Sequence, residues 1–324
     1  MVGQGTATTL AMSTYAGQAS GSTAVDLSKL PMPAVVEMLS FEELVAEAKS
    51  VFLQFISAVA PDQVEALTAV LTLRSEPLVK LIEVMAYREL ILRQRINDAA
   101  RAVTIAGAYG ADLDNLVALL GVQRLVVTPA DPVNQTPAVM ESDEALRRRA
   151  LLAPEAYSVA GPEGAYVSHA LGASGDVLDA SCTSPAPGDV VVTVLSRLGD
   201  GVPSEALLTT VESVVGSERV RPLTDHVMVR AAEILTFAIS ARITTFAGPD
   251  AQVVLQEARA RLDAYLAGAF RLGRDVTRSG VIAALAAEGV QDVELIEPAA
   301  NVVCSRLQAA RCLAIDVIHA GLGE

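Results

Sequence analysis

At 324 residues and 33.7 kDa the chain is long enough for about two or three domains with ample core. Its 24 Lys and Arg against 38 Asp and Glu leave a formal charge of −14, the wrong sign for a nucleic-acid binder, which needs a net attraction to phosphate. Hydrophobic residues make up 52% and mean hydropathy is +0.41. Yet no run of about 18 uncharged apolar residues occurs, so no membrane span is expected and the surplus apolar surface points to burial against other protein.

The amino terminus has no basic region followed by an apolar core, so no secretory signal is expected. Cys182, Cys304 and Cys312 have no metal-type spacing and read as reduced, packed thiols of a protein made in a cytoplasm. Residues 1–24 are mostly Gly, Ser, Thr and Ala, too poor in apolar side chains to order themselves. Gly3-Gln-Gly5 follows no strand, so it is no nucleotide loop. Leu30-Pro-Met-Pro33 is extended, because proline restricts itself and the residue before it. Residues 1–38 thus form a flexible or extended arm, suited to lie along a neighbouring subunit.

Residues 39–127 read as a helical domain. Ser40-Phe-Glu-Glu43 matches a capping box and opens a helix to about Ala58. Pro61-Asp-Gln starts another, to about Leu73. The stretch Glu76–Ala108 then reads as one long helix, with Pro77 in the first turn and a length of about 50 Å. Leu78, Leu81, Ile82, Met85, Leu92, Ile96, Ala100 and Val103 recur at three- and four-residue spacing. A second row, Val79, Val84, Tyr87 and Ile91, makes the rod apolar on more than one side. One small core needs a single stripe, so this helix is expected to be buried between several partners, and Leu78, Leu81, Ile82, Met85, Leu92, Ile96 and Val103 are the candidate interface residues. Gly110 suits the end of the rod, Asp112 the cap of the next helix and Gly121 its close. Asp112 and Asp114 lack the further ligands, central Gly and later Glu of a calcium loop.

Residues 128–138, with Pro129, Pro132 and Pro137, read as a linker and candidate hinge. Residues 139–222 read as an α+β module. Ser142-Asp-Glu caps a helix bearing Arg147, Arg148 and Arg149, read as an exposed face paired with acidic neighbours rather than a phosphate patch. A helix near Gly161–Leu171, a hairpin of Val177–Cys182 and Val190–Leu195, and a helix to about Val215 follow. Residues 223–324 form a second α+β module. Apolar odd positions from Val227 to Ile243 mark strand, broken near Glu233. Helices over about 250–270 and 277–287 precede strands at 290–296 and 313–318, a sheet with helices on one face. The fold class is multidomain α+β.

A search for chemistry finds little. His169, His226 and His319 have no cysteine nearby and no orienting partner in sequence, and no nucleophile elbow, Walker loop or zinc pattern occurs. Asp275 reads as a local ion pair with Arg274. With no Trp and only 4% aromatics, stacking platforms for sugars or bases are poorly supported. No catalytic, cofactor-binding or metal-binding residue is assigned.

The run Arg95-Ile-Asn-Asp-Ala-Ala-Arg-Ala leading to Tyr109-Gly-Ala-Asp-Leu-Asp resembles the baseplate assembly protein J family of contractile-tailed phages and R-type pyocins. Glu141-Ser-Asp-Glu-Ala-Leu-Arg-Arg-Arg, Leu152–Val167, Val190-Val-Val-Thr-Val-Leu-Ser-Arg, Val220-Arg-Pro-Leu-Thr-Asp225 and Gly273-Arg-Asp-Val-Thr277 continue it in order over residues 30–300. The resemblance implies a structural wedge subunit, located in a virion or tailocin and without enzymatic activity. In such a wedge two copies join one I-type tail protein through a helical bundle. Wedges surround a central spike, contact a sheath-initiator protein and meet neighbouring wedges through their carboxyl-terminal domains. The ring they form widens when sheath contraction starts. The rival expectation is a tail-associated cell-wall hydrolase, which would need a paired-carboxylate or zinc constellation.

Overall fold

The computed structural model describes residues 30–323 except Met32, Val159 and Pro249. Most of the expected arm, residues 1–29, therefore lies outside the described residues. The described residues fall into two compact units, one drawn from 30–123 and 143–147, the other from 124–142 and 148–323.

The first unit is helical. Helix α1 spans Phe41–Val59, and the Ser40 hydroxyl caps it by accepting from the Glu43 N–H at 3.3 Å. A 3-10 turn at Pro61–Gln63 leads into α2 (Val64–Val70) and then α3 (Pro77–Ala102). At 26 residues α3 is about 39 Å long and stops well short of the expected Ala108. The cause is Thr104: its hydroxyl donates to the Arg101 carbonyl (2.9 Å) and accepts from the Gly107 N–H (3.1 Å), so the chain turns instead of propagating. Gly110 does not end the rod but opens α4 (Gly110–Ala118), and Asp112 sits in that helix's first turn.

Helices α1 and α3 form an antiparallel hairpin. Leu71, Val79 and Ile82 are buried against Val45, Ala48 and Phe52 at one end. At the other end Asn97, almost fully buried, accepts from the Glu37 N–H (3.0 Å) and donates to the Glu37 carbonyl (2.8 Å). That two-point clasp satisfies a buried amide that would otherwise cost about 1–3 kcal/mol.

The second unit carries the sheets. Strands β1 (Val126–Thr128) and β2 (Val139–Met140) pair antiparallel, and residues 129–138 are the loop between them. That loop is closed by an Asp131–Thr136 bridge, and the Asp131 carboxylate accepts from the N–H groups of Val133 and Asn134. After α5 (Asp143–Leu152) come α6 (Glu163–Ala173), β3 (Val177–Thr183), β4 (Asp189–Ser196), α7 (Glu205–Val215) and β5 (His226–Ala231). The sheet order is β3-β4-β5, antiparallel then parallel, the parallel step made through α7. Tyr166, Leu171, Leu207 and Val211 share a core with Val192 and Val194. The Tyr166 hydroxyl also donates to the Asp225 carboxylate at 2.8 Å, which ties α6 to the turn before β5.

Only Ala232 separates β5 from β6 (Glu233–Thr245), so the strand breaks where the alternation predicts. Helices α8 (Ala251–Ala269) and α9 (Arg278–Leu285) precede β7 (Val290–Glu297) and β8 (Gln308–Leu322). The order is β7-β6-β8, with β8 parallel to β6. Ala258, Leu262, Val281 and Leu285 pack on Ile239, Ala241 and Ile243. Strand β8 is longer at both ends than the expected 313–318, because it pairs with β6 from Gln308 to Leu322. The two α+β modules are pinned together at Asp179, which is 3% exposed. Its carboxylate accepts from the Leu272 N–H (3.0 Å) and from Arg148 (2.6 Å), while Arg271 donates to the Leu178 carbonyl (2.7 Å). The chain is a multidomain α+β protein, as its pattern of elements predicts.

The arginine triplet finds the expected acidic partners at Arg148 and Arg149 but not the expected exposed face. Arg147, Arg148 and Arg149 are all half-buried and do not form one exposed face. Successive helical residues point about 100° apart, so the three diverge. Arg147 donates to the carbonyls of Ile105 (2.7 Å) and Ala108 (2.6 Å) and lies over the Tyr109 ring. Arg148 reaches Asp179, and Arg149 pairs with the buried Glu141.

Candidate subunit interface

The largest run of exposed apolar side chains lies on the α1–α3 hairpin. Of the seven residues singled out by periodicity, Ile82 is buried and Leu78 half-buried, both against the chain's own α1. Leu81, Met85, Leu92, Ile96 and Val103 remain 58%, 63%, 60%, 48% and 73% exposed. At about 100° per residue the first four share one stripe of α3, about 120° from the side that meets α1, and Val103 follows directly after the helix's last residue. Val84, Tyr87 and Ile91, also exposed, form a second stripe about as far round in the other direction, while Val79 of that row is buried.

Helix α1 contributes a stripe that the rod's periodicity does not reveal. Val51, Phe55 and Val59 recur every four residues and are exposed, Phe55 at 69%. Because α1 runs antiparallel to α3, the wheel geometry puts this stripe on the same side of the hairpin as Leu81, Met85, Leu92 and Ile96. The hairpin therefore presents one two-helix apolar face, plus a separate stripe on its reverse. Such a face is what a helix presents when its partner is another chain.

Burial pushes the thiols of Cys182 and Cys304 up to about 11, with Asp225 and Asp275 adding smaller effects, so neither is an activated nucleophile. All three cysteines are free. His169 is shifted down by burial. His226 is exposed, 3.4 Å from Asp189, and His319 lies 3.0 Å from the Thr245 hydroxyl. Asp275 accepts from the Cys304 N–H (2.8 Å) rather than pairing with Arg274 as expected. Among the described residues, no group of three or more His, Cys, Asp or Glu is placed to hold a metal ion, and no helix is long and apolar enough to cross a membrane.

Three baseplate J-like domains match the chain in order along its length. The baseplate J-like N-terminal domain matches residues 74–131, which contain α3; the baseplate J-like central domain matches 158–231, and the baseplate J-like protein C-terminal domain matches 237–318. The chain belongs to the baseplate J-like family. It is 47% identical over 302 residues to baseplate protein J of Escherichia phage P2, a match covering 93% of this chain and 99% of that relative.

Proposed function

We propose that the chain is a structural subunit of the baseplate of a contractile particle, a phage tail or a tailocin. In that role it joins a second copy of itself and an I-type partner in a wedge, and wedges surround the central spike. The observation that carries this reading is the α1–α3 hairpin, which leaves Leu81, Met85, Leu92, Ile96 and Val103 uncovered by the chain itself. A soluble monomer has little reason to hold such a stripe open to water. In functional terms residues 39–127 supply the bundle, 128–138 the connection, 139–222 the middle of the wedge and 223–324 the contacts between neighbouring wedges. The wedge also meets a sheath-initiator protein and transmits the trigger for sheath contraction. The product of the chain is geometry, and no cofactor takes part.

A reconstruction of the purified particle tests this. Density for the chain is expected in the baseplate, with α3 inside a bundle of several chains. Density elsewhere in the particle, or a lysis band from the purified chain on a peptidoglycan zymogram, would overturn it.

A further inference from the structure

A single residue joins the two α+β modules. Ala232 alone separates β5, the last strand of the central module (163–231), from β6, the first of the C-terminal module (233–322). Such a joint turns freely only if little else holds the two bodies together. Here it is buried and bonded to both. The Ala232 N–H donates to the Val194 carbonyl at 2.9 Å, and the next N–H, of Glu233, donates to the Leu307 carbonyl at 3.0 Å.

Around the joint runs an apolar seam. Leu178 and Leu195 of the central sheet pack in one cluster with Ile234, Phe270, Leu272 and Ala309. Gly201, with φ at +97°, closes one end of it. A Cβ there would stand 2.6 Å from the Phe270 ring, so glycine lets the loop after β4 sit this close.

Polar contacts surround the seam and come from three separate elements of the central module. On β3 the Leu178 carbonyl accepts from Arg271 (2.7 Å) and the Asp179 carboxylate from the Leu272 N–H (3.0 Å). The Ser181 hydroxyl donates to the Arg306 carbonyl (2.6 Å). On α6, Glu163 pairs with Arg306, and in the loop after β4 the Gly199 carbonyl accepts from Arg311 at 3.0 Å. A rotation at Ala232 has one axis, and contacts off that axis must separate. Bonds spread over β3, α6 and the loop cannot all lie on one line. Turning at the joint therefore breaks several at once and leaves the buried Asp179 carboxylate short of a donor. Domains tied by a thin polar contact move freely; this seam is of the other kind.

We propose that the central and C-terminal modules move as one rigid lever when the baseplate ring widens, with all bending taken up outside residues 163–322. This rests on the reading of the chain as a wedge subunit whose C-terminal module meets neighbouring wedges. It adds that a displacement imposed on that module reaches α6 and α7 undiminished.

Reconstructions of the particle before and after contraction test it. With residues 163–231 superposed, residues 233–322 are expected to coincide to within about 1 Å, as in proteins that keep their shape on assembly. A rotation at Ala232 that carries them further would overturn the lever. The superposition is made within the chain, so it decides this point wherever in the particle the chain lies, while that position tests the baseplate reading separately. A second measurement needs no particle. Spin labels on exposed Thr209 of α7 and Gln256 of α8, introduced as Thr209→Cys and Gln256→Cys with Cys312→Ala, should report one narrow distance in the free full-length chain. Two distances, or one broader than the labels' own spread, would overturn it as well.

Discussion

Glutamate at Leu81, Met85, Leu92 and Ile96 together is expected to abolish association of the chain with its partners while leaving its own fold intact. Each side chain is about half exposed, so covering it contributes on the order of 1 kcal/mol. A carboxylate in the same place must also be stripped of water, which costs more than the lost burial. The four changes remove at least about 4 kcal/mol, roughly a thousandfold in association. Within the single chain these positions face water, where a substitution shifts stability by about 0.5 kcal/mol or less. Thermal unfolding of the isolated variant is therefore the control, and pull-down of partner chains is the readout. A folded variant that still assembles would show that this stripe is not an interface.

Removal of the Glu141 carboxylate is expected to produce the largest loss of stability within the chain. The Glu141 side chain is 2% exposed and pairs with Arg149, itself only 14% exposed. It also accepts from the Leu125 N–H at 3.0 Å, and its carbonyl accepts from Arg124 at 2.8 Å. Glu141→Ala leaves the buried guanidinium without its carboxylate and the Leu125 N–H without an acceptor. Stripping one partner from a buried pair costs about 3–5 kcal/mol. Glu141→Gln, which can keep the Leu125 bond, should lose less. Denaturant unfolding of both variants checks the order, and a loss below about 1 kcal/mol for Glu141→Ala would contradict the assignment.

What the sequence disclosed, and what it hid, follows from the range over which each signal acts. The hairpin around residues 185–189 and the β5–β6 strand broken near Glu233 are written in alternation and turn residues, local signals that act within a few positions. The early end of α3 depends on one threonine hydroxyl taking over backbone partners, which periodicity cannot register. The reach of β8 to Gln308 is masked by Ala309 and Ala310, poor strand formers that pair because β6 lies beside them. The arginine triplet looks like one patch in one dimension and becomes three separate clasps once helical angles separate its members. At the candidate interface, spacing marked α3 but could not tell Ile82 from Leu81. The two are neighbours in sequence, and only the presence of α1 turns one inward and leaves the other in water. The Val51–Phe55–Val59 stripe was legible in principle, since its four-residue repeat stands on α1 beside a buried set. The family resemblance was carried by motifs in order along the chain, and the matched N-terminal, central and C-terminal domains follow that order.

The central claim is that other chains cover the Leu81–Val103 stripe in the assembled particle. Met85 offers a direct reporter, because it lies within that stripe and is 63% exposed in the single chain, with Met38 at 99%, Met140 at 44% and Met228 at 40% as internal references. Its rate of oxidation by peroxide, measured by mass spectrometry, should be high in the free chain and strongly suppressed in intact particles. Equal rates for Met85 in the two states would contradict the account.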